Sequence, residues 1–415
     1  MKTIRALRWW IVGLVMLGAM LNYLTRAVMG VAAPTLLTEL HISEQQYGWI
    51  TAAFQGGIIL QPVVGYVLDS VGLKYGLALF AGAWSVISMA HGFANSWPAF
   101  ATLRALLGFA EGSANPAGMK VVATWFPARE RGFAGGLYNI GASVGTMLAP
   151  PLVAWAILAY DWRAAFLITG GLGLVWTAVW LRGFHPPERH PRLSPEERAM
   201  IEAGQEMDLA ADAGGRPSIL ALLRRRDLWG IAIPRLLADP TWGTLSFWIP
   251  LYLVQTRGFD LKQIALFAWL PFLAADVGCL FGPAVALFLQ RRGVSLINAR
   301  RGAFTLGALM MTGMMFVGRV ESPYAAIALL CLGGFAHQTL SVTVITMASD
   351  LFKRSEVATV AGLAGTCGNL GVLIFSLAIG GLVATVGYDP FFIALGLLDL
   401  IGAVVLWTLV KDPRP

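Results

Sequence analysis

The chain has 415 residues, 57% of them hydrophobic and only 13% charged, with a formal net charge of +7. Soluble domains run at about 45–50% apolar and about 25% charged, so this composition excludes an ordinary water-soluble globule and makes lipid the main solvent. The surplus of positive charge would suit nucleic acid, but its distribution along the chain argues for a membrane instead.

A membrane-spanning helix needs ~20 apolar residues. Twelve stretches qualify, near 9–33, 45–68, 74–93, 97–120, 133–158, 163–184, 229–255, 262–290, 302–319, 323–350, 357–384 and 390–410. With the N-terminus inside, most of the 30 Lys and Arg fall on the cytoplasmic side. Arg163, Arg257, Lys262 and Arg319 fall outside, and Arg26, Arg104 and Arg235 fall within spans. This is the positive-inside bias of a multi-pass inner-membrane protein with both termini cytoplasmic, and it removes nucleic acid as a partner. The 47 glycines suit helices that approach closely in lipid.

Lys2, Arg5 and Arg8 precede an apolar run from Trp9 that is too long for a cleaved leader, so it is expected to stay as the first span. That span breaks its own pattern at Asn22-Tyr23-Leu-Thr25-Arg26. Asn22 and Arg26 lie one turn apart and share a face, which reads as a wet, substrate-facing surface; the alternative is an arginine snorkelling to the outer interface. Spans two and three are joined by Gly65-Tyr66-Val-Leu-Asp69-Ser70-Val-Gly72-Leu-Lys74, a tight loop whose glycines suit a turn.

The fourth span carries Arg104 and Glu111, about two turns apart on one face with Gly108 between them. Charges at membrane depth are costly and usually mark a substrate or ion pathway. A polar turn follows, Trp125-Phe-Pro-Ala-Arg-Glu130-Arg131-Gly132. After the sixth span, residues 185–228 form a polar linker. Ser194-Pro195 opens one helix in it, and Ile219 to Leu228 reads as an amphipathic helix lying on the membrane surface.

The second half echoes the first. Gly108-Phe-Ala-Glu111 recurs as Gly334-Phe-Ala-His337, and at the same offset Phe126 meets Phe352, Glu130 meets Glu356 and Gly145 meets Gly371. Such parallel repeats fit two pseudo-symmetric six-helix bundles, 1–184 and 229–415, with a substrate between them near mid-membrane. Span seven adds Arg235, Asp239 and Trp242 among prolines. Gln338, Asn369, Asp276 and Asp399 complete the polar positions at membrane depth. Cys279, Cys331 and Cys367 have neither metal nor redox spacing, and no nucleophile–base pair stands out, so neither an enzyme nor a cofactor is expected.

The loop at Gly65 resembles the G-x-x-x-D-R-x-G-x-R/K signature of the major facilitator superfamily, with Ser70 where a basic residue is usual. The W-F-P-x-x-E-R-G turn is similar to that of its anion:cation symporter branch. Asn22-Tyr-Leu-Thr-Arg26, Ala149-Pro-Pro-Leu-Val-Ala-Trp155, Pro234-Arg235 through Trp242-Gly243 and Gly333-Gly-Phe-Ala-His-Gln338 most resemble bacterial hexuronate transporters. The resemblance implies an all-α membrane protein of twelve helices that imports galacturonate or glucuronate with protons, as a monomer. It implies that Arg26 meets the substrate carboxylate, that Glu111 takes up the proton and that Arg104 is coupled to it. Asn22, Tyr23, Tyr66, Trp242, His337, Gln338 and Asn369 are then the remaining substrate contacts. Gly65, Asp69, Gly72, Lys74, Glu130 and Arg131 are gating or structural positions. Many relatives have aspartate, a second protonation site, where this chain has Thr25, which cannot fill that role. The alternatives are symport of another organic anion, such as an aldonate or a small monocarboxylate, and a sensor that kept the fold without transport.

Overall fold

The computed structural model describes residues 3–211, 219–352 and 354–411, with the backbone alone at 62, 69, 128, 129, 132, 204–211, 354, 355 and 358. Among these residues the structure is helical throughout. In chain order the helices are α1 (Leu7–Glu39), α2 (Glu44–Ile59), α3 (Gln61–Val71), α4 (Leu73–His91), α5 (Trp97–Glu111), α6 (Ala114–Trp125), α7 (Ala128–Ala159), α8 (Trp162–Gly183) and α9 (Pro195–Ala211). They continue with α10 (Ile219–Leu223), α11 (Arg226–Phe247), α12 (Ile249–Arg257), α13 (Leu261–Phe267), α14 (Leu270–Arg291), α15 (Leu296–Met311), α16 (Pro323–Leu351), α17 (Arg354–Val386) and α18 (Asp389–Leu409).

Eight stretches among the described residues are long and apolar enough to cross a membrane. The other four expected spans coincide with interrupted helices. One breaks at Leu60 between α2 and α3, one at Gly112–Ser113 between α5 and α6, and one at Trp248 between α11 and α12. The last runs from α15 into a 3-10 turn at Thr312–Phe316. At two of the breaks proline opens the following helix, Pro62 and Pro250, where its missing N–H and fixed φ do least harm. The surface helix expected over Ile219–Leu228 is also split. Arg225 takes an extended conformation, so α10 ends at Leu223 and α11 starts at Arg226.

The chain forms two compact units. The first comprises residues 1–29 and 56–214, and the second comprises residues 30–55 and 215–415. In the first, α4 packs on α8 through stacked indoles, with Trp84 6.5 Å from Trp176 and Trp176 5.4 Å from Trp180. The indole N–H groups of Trp176 and Trp180 are satisfied by the Leu14 and Lys74 carbonyls, both at 2.9 Å. In the second, α14 packs on α16, and α11 packs on α17 and α18.

The internal repeat has a packing basis. Gly145 of α7 lies against the Met20 carbonyl of α1, and Gly371 of α17 lies against the Leu236 carbonyl of α11, so a methyl group at either position would collide with backbone. Small residues allow this approach, which supplies dispersion and lets helices associate in lipid. The repeated glutamates also do the same job. Glu130 pairs with Arg8 at the start of α1 (2.8 Å), and Glu356 pairs with Arg225 just before α11 (3.1 Å).

Overpacking a helix contact costs about 1–3 kcal/mol. Gly145→Leu and Gly371→Leu are therefore expected to lower the thermal midpoint of the detergent-solubilised protein by several degrees. Gly13→Leu, where nothing lies within 4 Å of an added Cβ, serves as the control. Equal midpoints for all three would refute the close-approach account.

Candidate functional site

In the first unit the polar residues of α1 and α5 converge. Glu111, at the last turn of α5, is 1% exposed, while Asn22 and Arg104 are wholly buried and Thr25 is 1% exposed. Arg26 Nε donates to Glu111 Oε2 at 3.2 Å, and Arg26 Nη2 donates to Asn22 Oδ1 at 3.4 Å. The same guanidinium lies 4.5 Å from the centre of the Tyr23 ring, a cation–π contact. Arg104 Nη2 donates to the Arg26 carbonyl at 3.3 Å, which fixes the backbone from which Arg26 projects. Arg104 thus meets the backbone of Arg26, and Arg26 forms an ion pair with Glu111 (3.2 Å).

Thr25 has a part that its sequence position did not suggest. Its hydroxyl oxygen lies 2.8 Å from Glu111 Oε1, 2.8 Å from the Asn22 carbonyl and 3.1 Å from the Leu21 carbonyl. A hydroxyl has one hydrogen and two lone pairs. It donates to Glu111 while that group is ionised. When Glu111 carries a proton on Oε1, the bond can reverse, with Thr25 accepting from the acid and donating to its own helix. The glutamate is then satisfied in both charge states. Asn and Thr one turn apart on an apolar helix are the available signal for such an arrangement.

Tyr66, on α3, is 74% exposed and makes none of the contacts that hold this cluster together. Of the gating positions, Gly72 takes the left-handed φ of +88° that ends α3, a conformation that glycine adopts at little cost. Gly65 has open space around it. The Asp69 side chain lies outside the described residues. Arg131 donates to the Phe126 and Ala123 carbonyls, both at 2.9 Å, and so closes the C-terminus of α6.

The linker makes a firm attachment that sequence reasoning passed over. Ser194 Oγ accepts from Glu197 N at 3.2 Å, capping α9. The Glu197 carboxylate accepts from the backbone N–H groups of Leu7 (3.0 Å) and Arg8 (3.2 Å) and from Arg8 Nη1 (2.7 Å). A carboxylate at unsatisfied helix N–H groups is favourable both as a cap and against the helix dipole.

In the second unit His337 is buried on α16, with its ring stacked 5.9 Å from Trp242 of α11. Trp242 also meets Phe272 edge-on at 5.2 Å. This is the repeat of the first site with its chemistry exchanged. Arg26 lies six residues past Met20 and Trp242 six past Leu236, the two carbonyls that the repeat glycines contact. The α1–α5 pair Arg26–Glu111 therefore corresponds to the α11–α16 pair Trp242–His337. Asn369 bonds within its own helix to the Gly365 carbonyl (3.1 Å), and Gln338 is half-buried.

The model of the Major Facilitator Superfamily matches residues 15–318 and 294–415. The chain belongs to this superfamily. Similar members include the hexuronate transporter of Escherichia coli (strain K12), 46% identical over 99% of this chain and 96% of that protein. The galacturonate transporter of Dickeya chrysanthemi is 49% identical over 79% of this chain and 96% of its own length. The D-galactonate transporter of Escherichia coli O6:H1 is 30% identical over 94% of this chain and 93% of its own length. Two solved structures share the fold. A bacterial homologue of the human lysosomal transporter Spinster, in an inward-facing and occupied conformation, has TM-score 0.74 at 14% identity, covering 96% of this chain and 94% of that one. A D-xylose–proton symporter has TM-score 0.72 at 16% identity, covering 97% and 98%. This facilitator is thus a multi-pass membrane transporter and not an enzyme.

Lys74 ends the loop signature of the superfamily, and its ammonium lies 3.0 Å from His185 Nε2. Lysine can only donate, so the ring must be neutral to accept. Burial, and then the Lys74 charge, hold His185 below its ordinary value of about 6.5. A depressed histidine contributes stability above its unfolded pKa and loses it as pH falls. The thermal midpoint should therefore drop between about pH 7.5 and about pH 5.5, around the ordinary value of an exposed histidine. His185→Gln should start lower at the higher pH and fall less. Parallel slopes in the two proteins would refute this reading of the contact.

Proposed function

We propose that this chain imports a hexuronate, galacturonate or glucuronate, together with a proton by alternating access. The proposal takes it to lie in a bacterial inner membrane as a monomer of twelve spans, with both termini cytoplasmic and six-helix bundles over 1–184 and 229–415. The observation that carries it is the Arg26–Glu111 ion pair at 3.2 Å beside Asn22, Tyr23 and Thr25. The relatives named for hexuronate and galacturonate support the choice of substrate.

The electrostatics suit a monoanion. Arg26 and Arg104 place two guanidinium groups beside one carboxylate, Glu111, and a single further carboxylate is the anion that such a cluster admits at membrane depth. Arg26 is the accessible member, with 21% of its side chain exposed against none for Glu111. A guanidinium takes a carboxylate as a two-pronged fork, but the prongs here are held by Glu111 and Asn22. Protonation of Glu111 releases Arg26 to the incoming carboxylate, and Thr25 then accepts the new O–H. At this cluster the empty carrier with ionised Glu111 and the carrier loaded with anion and proton have the same net charge. Tyr23, Tyr66, Trp242, His337, Gln338 and Asn369 are proposed as contacts for the sugar hydroxyls and ring faces. The relative named for D-galactonate makes an aldonate, with the same single carboxylate, the second reading.

In proteoliposomes, Arg26→Lys should weaken galacturonate binding about 10- to 100-fold, because a fork becomes a point charge. Glu111→Gln mimics the protonated acid, so it should exchange labelled galacturonate across the membrane but fail to accumulate it against a gradient. Proton-driven accumulation by Glu111→Gln, or near-normal affinity in Arg26→Lys, would sink the assignment. Competition by galactonate stronger than by either hexuronate would favour the second reading.

A further inference from the structure

Helix α11 carries an ion pair, Arg235 and Asp239, that the binding scheme above leaves unused. Residues 235, 239 and 242 fall within about 60° of one another around a helix of 3.6 residues per turn, so the pair shares a face with Trp242. The carboxylate is fixed from two sides. Arg235 Nη2 donates to Asp239 Oδ2 at 2.9 Å. The same oxygen sits in a notch of α17, where a Cβ added to Gly368 would collide with it. One turn earlier, a Cβ on Gly365 would meet Arg235 Nη1 at 3.8 Å, so the guanidinium also lies along α17. Asp239 Oδ1 accepts no hydrogen bond among the described residues, and 14% of the side chain is exposed. The pair thus presents one carboxylate oxygen that is held in place and free to accept.

Trp242, one turn on, is half-buried, with its ring stacked 5.9 Å from His337 and met edge-on by Phe272 at 5.2 Å. A held indole offers an apolar face to the C–H side of a sugar ring. A carboxylate on the same face accepts from the ring hydroxyls in charge-assisted hydrogen bonds, roughly twice as strong as neutral ones. It also repels a second carboxylate, because like charges brought together away from water are strongly disfavoured. The Arg235 fork cannot offset this while Asp239 occupies it. A hexuronate has a carboxylate at one end and a hemiacetal hydroxyl at the other, whereas a hexarate has a carboxylate at both.

We propose that Asp239 is a specificity-determining residue: its free oxygen accepts from hydroxyls at the end of the sugar remote from the carboxylate, and its charge turns away acids that carry a carboxylate at both ends. Arg235 is a positioning residue, which holds Oδ2 in the notch and is itself kept from binding a carboxylate. The assignment rests on the reading of this chain as a carrier of sugar monoacids.

Competition against labelled galacturonate, with the full chain in proteoliposomes, tests it. Galactonate and galactarate are the informative pair, since they differ only in one terminal group, a primary alcohol against a carboxylate. For the unaltered protein galactarate should compete at least about tenfold more weakly than galactonate. Asp239→Asn keeps the shape, removes the charge and frees Arg235, so it should weaken galacturonate about 10- to 100-fold and reverse the order of the two acids. Arg235→Lys, which keeps the charge but loses the fork, should weaken galacturonate and still exclude galactarate. A mere loosening of the helix contact would weaken all three acids alike. Galactarate competing as well as galactonate for the unaltered protein would overturn the proposal, and would do so even if Asp239→Asn failed to fold. So would an Asp239→Asn protein that binds galacturonate normally or still prefers galactonate, and admission of galactarate by Arg235→Lys would overturn the role of Arg235. If the unaltered protein binds galactonate and not galacturonate, the hexuronate reading fails, and the same comparison against labelled galactonate decides Asp239 by itself.

Discussion

The guanidinium of Arg26 is the point on which the first unit turns, because one fork faces two claims. In the structure it is committed to Glu111 and Asn22 and lies over the Tyr23 ring. A carboxylate arriving from outside can replace Glu111 only if Glu111 gives up its charge, since a second buried anion on the same cation would be left unpaired at membrane depth. The surrounding residues protect that choice. Arg104 holds the backbone of Arg26, Thr25 keeps Glu111 hydrogen-bonded in either protonation state, and Gly145 brings α7 against the Met20 carbonyl one and a half turns earlier on α1.

The second unit is built by the same packing rule with other chemistry. Gly371 seats α17 on α11 as Gly145 seats α7 on α1. At the position equivalent to Arg26 stands Trp242, and where Glu111 pairs with the arginine, His337 stacks on the indole at 5.9 Å. A duplicated scaffold has thus kept its helix contacts and its Arg–Glu clamps at Glu130 and Glu356. In place of an ion pair suited to a carboxylate it has an aromatic face suited to a sugar ring. Arg235, Asp239 and Asp399 lie elsewhere on α11 and on α18.

Much of this was legible in the chain. Charges inside apolar helices announced Arg26, Arg104 and Glu111, because lipid tolerates them only for a reason. The Gly-Phe-Ala-Glu and Gly-Phe-Ala-His repeat identified α5 and α16 as equivalent helices. The ion pair between Arg26 and Glu111 was not legible. Spacing along one helix pointed from Glu111 to Arg104, whereas Arg26 reaches in from α1, a contact of high sequence separation that local periodicity cannot report. The equivalence of Arg26 and Trp242 was hidden because the two residues share no chemistry, and because the register of the first helix in each unit differs from that of the later repeats. The helix interruptions at Leu60, Gly112 and Trp248 were hidden for another reason: apolarity over ~20 residues measures transfer to lipid and is indifferent to a local turn. Glu197 looked like an ordinary linker glutamate. Its task is visible only once the start of α1, with its unsatisfied N–H groups, lies against it.

The central claim is that a carboxylate on Arg26 and a proton on Glu111 arrive together. Its most direct test is the proton taken up when galacturonate is added to the purified protein in weakly buffered detergent solution near neutral pH. The account predicts that binding withdraws protons from solution, and that Glu111→Gln binds galacturonate while withdrawing one fewer. Equal uptake by the two proteins, or tight binding with no uptake by the unaltered one, would contradict it.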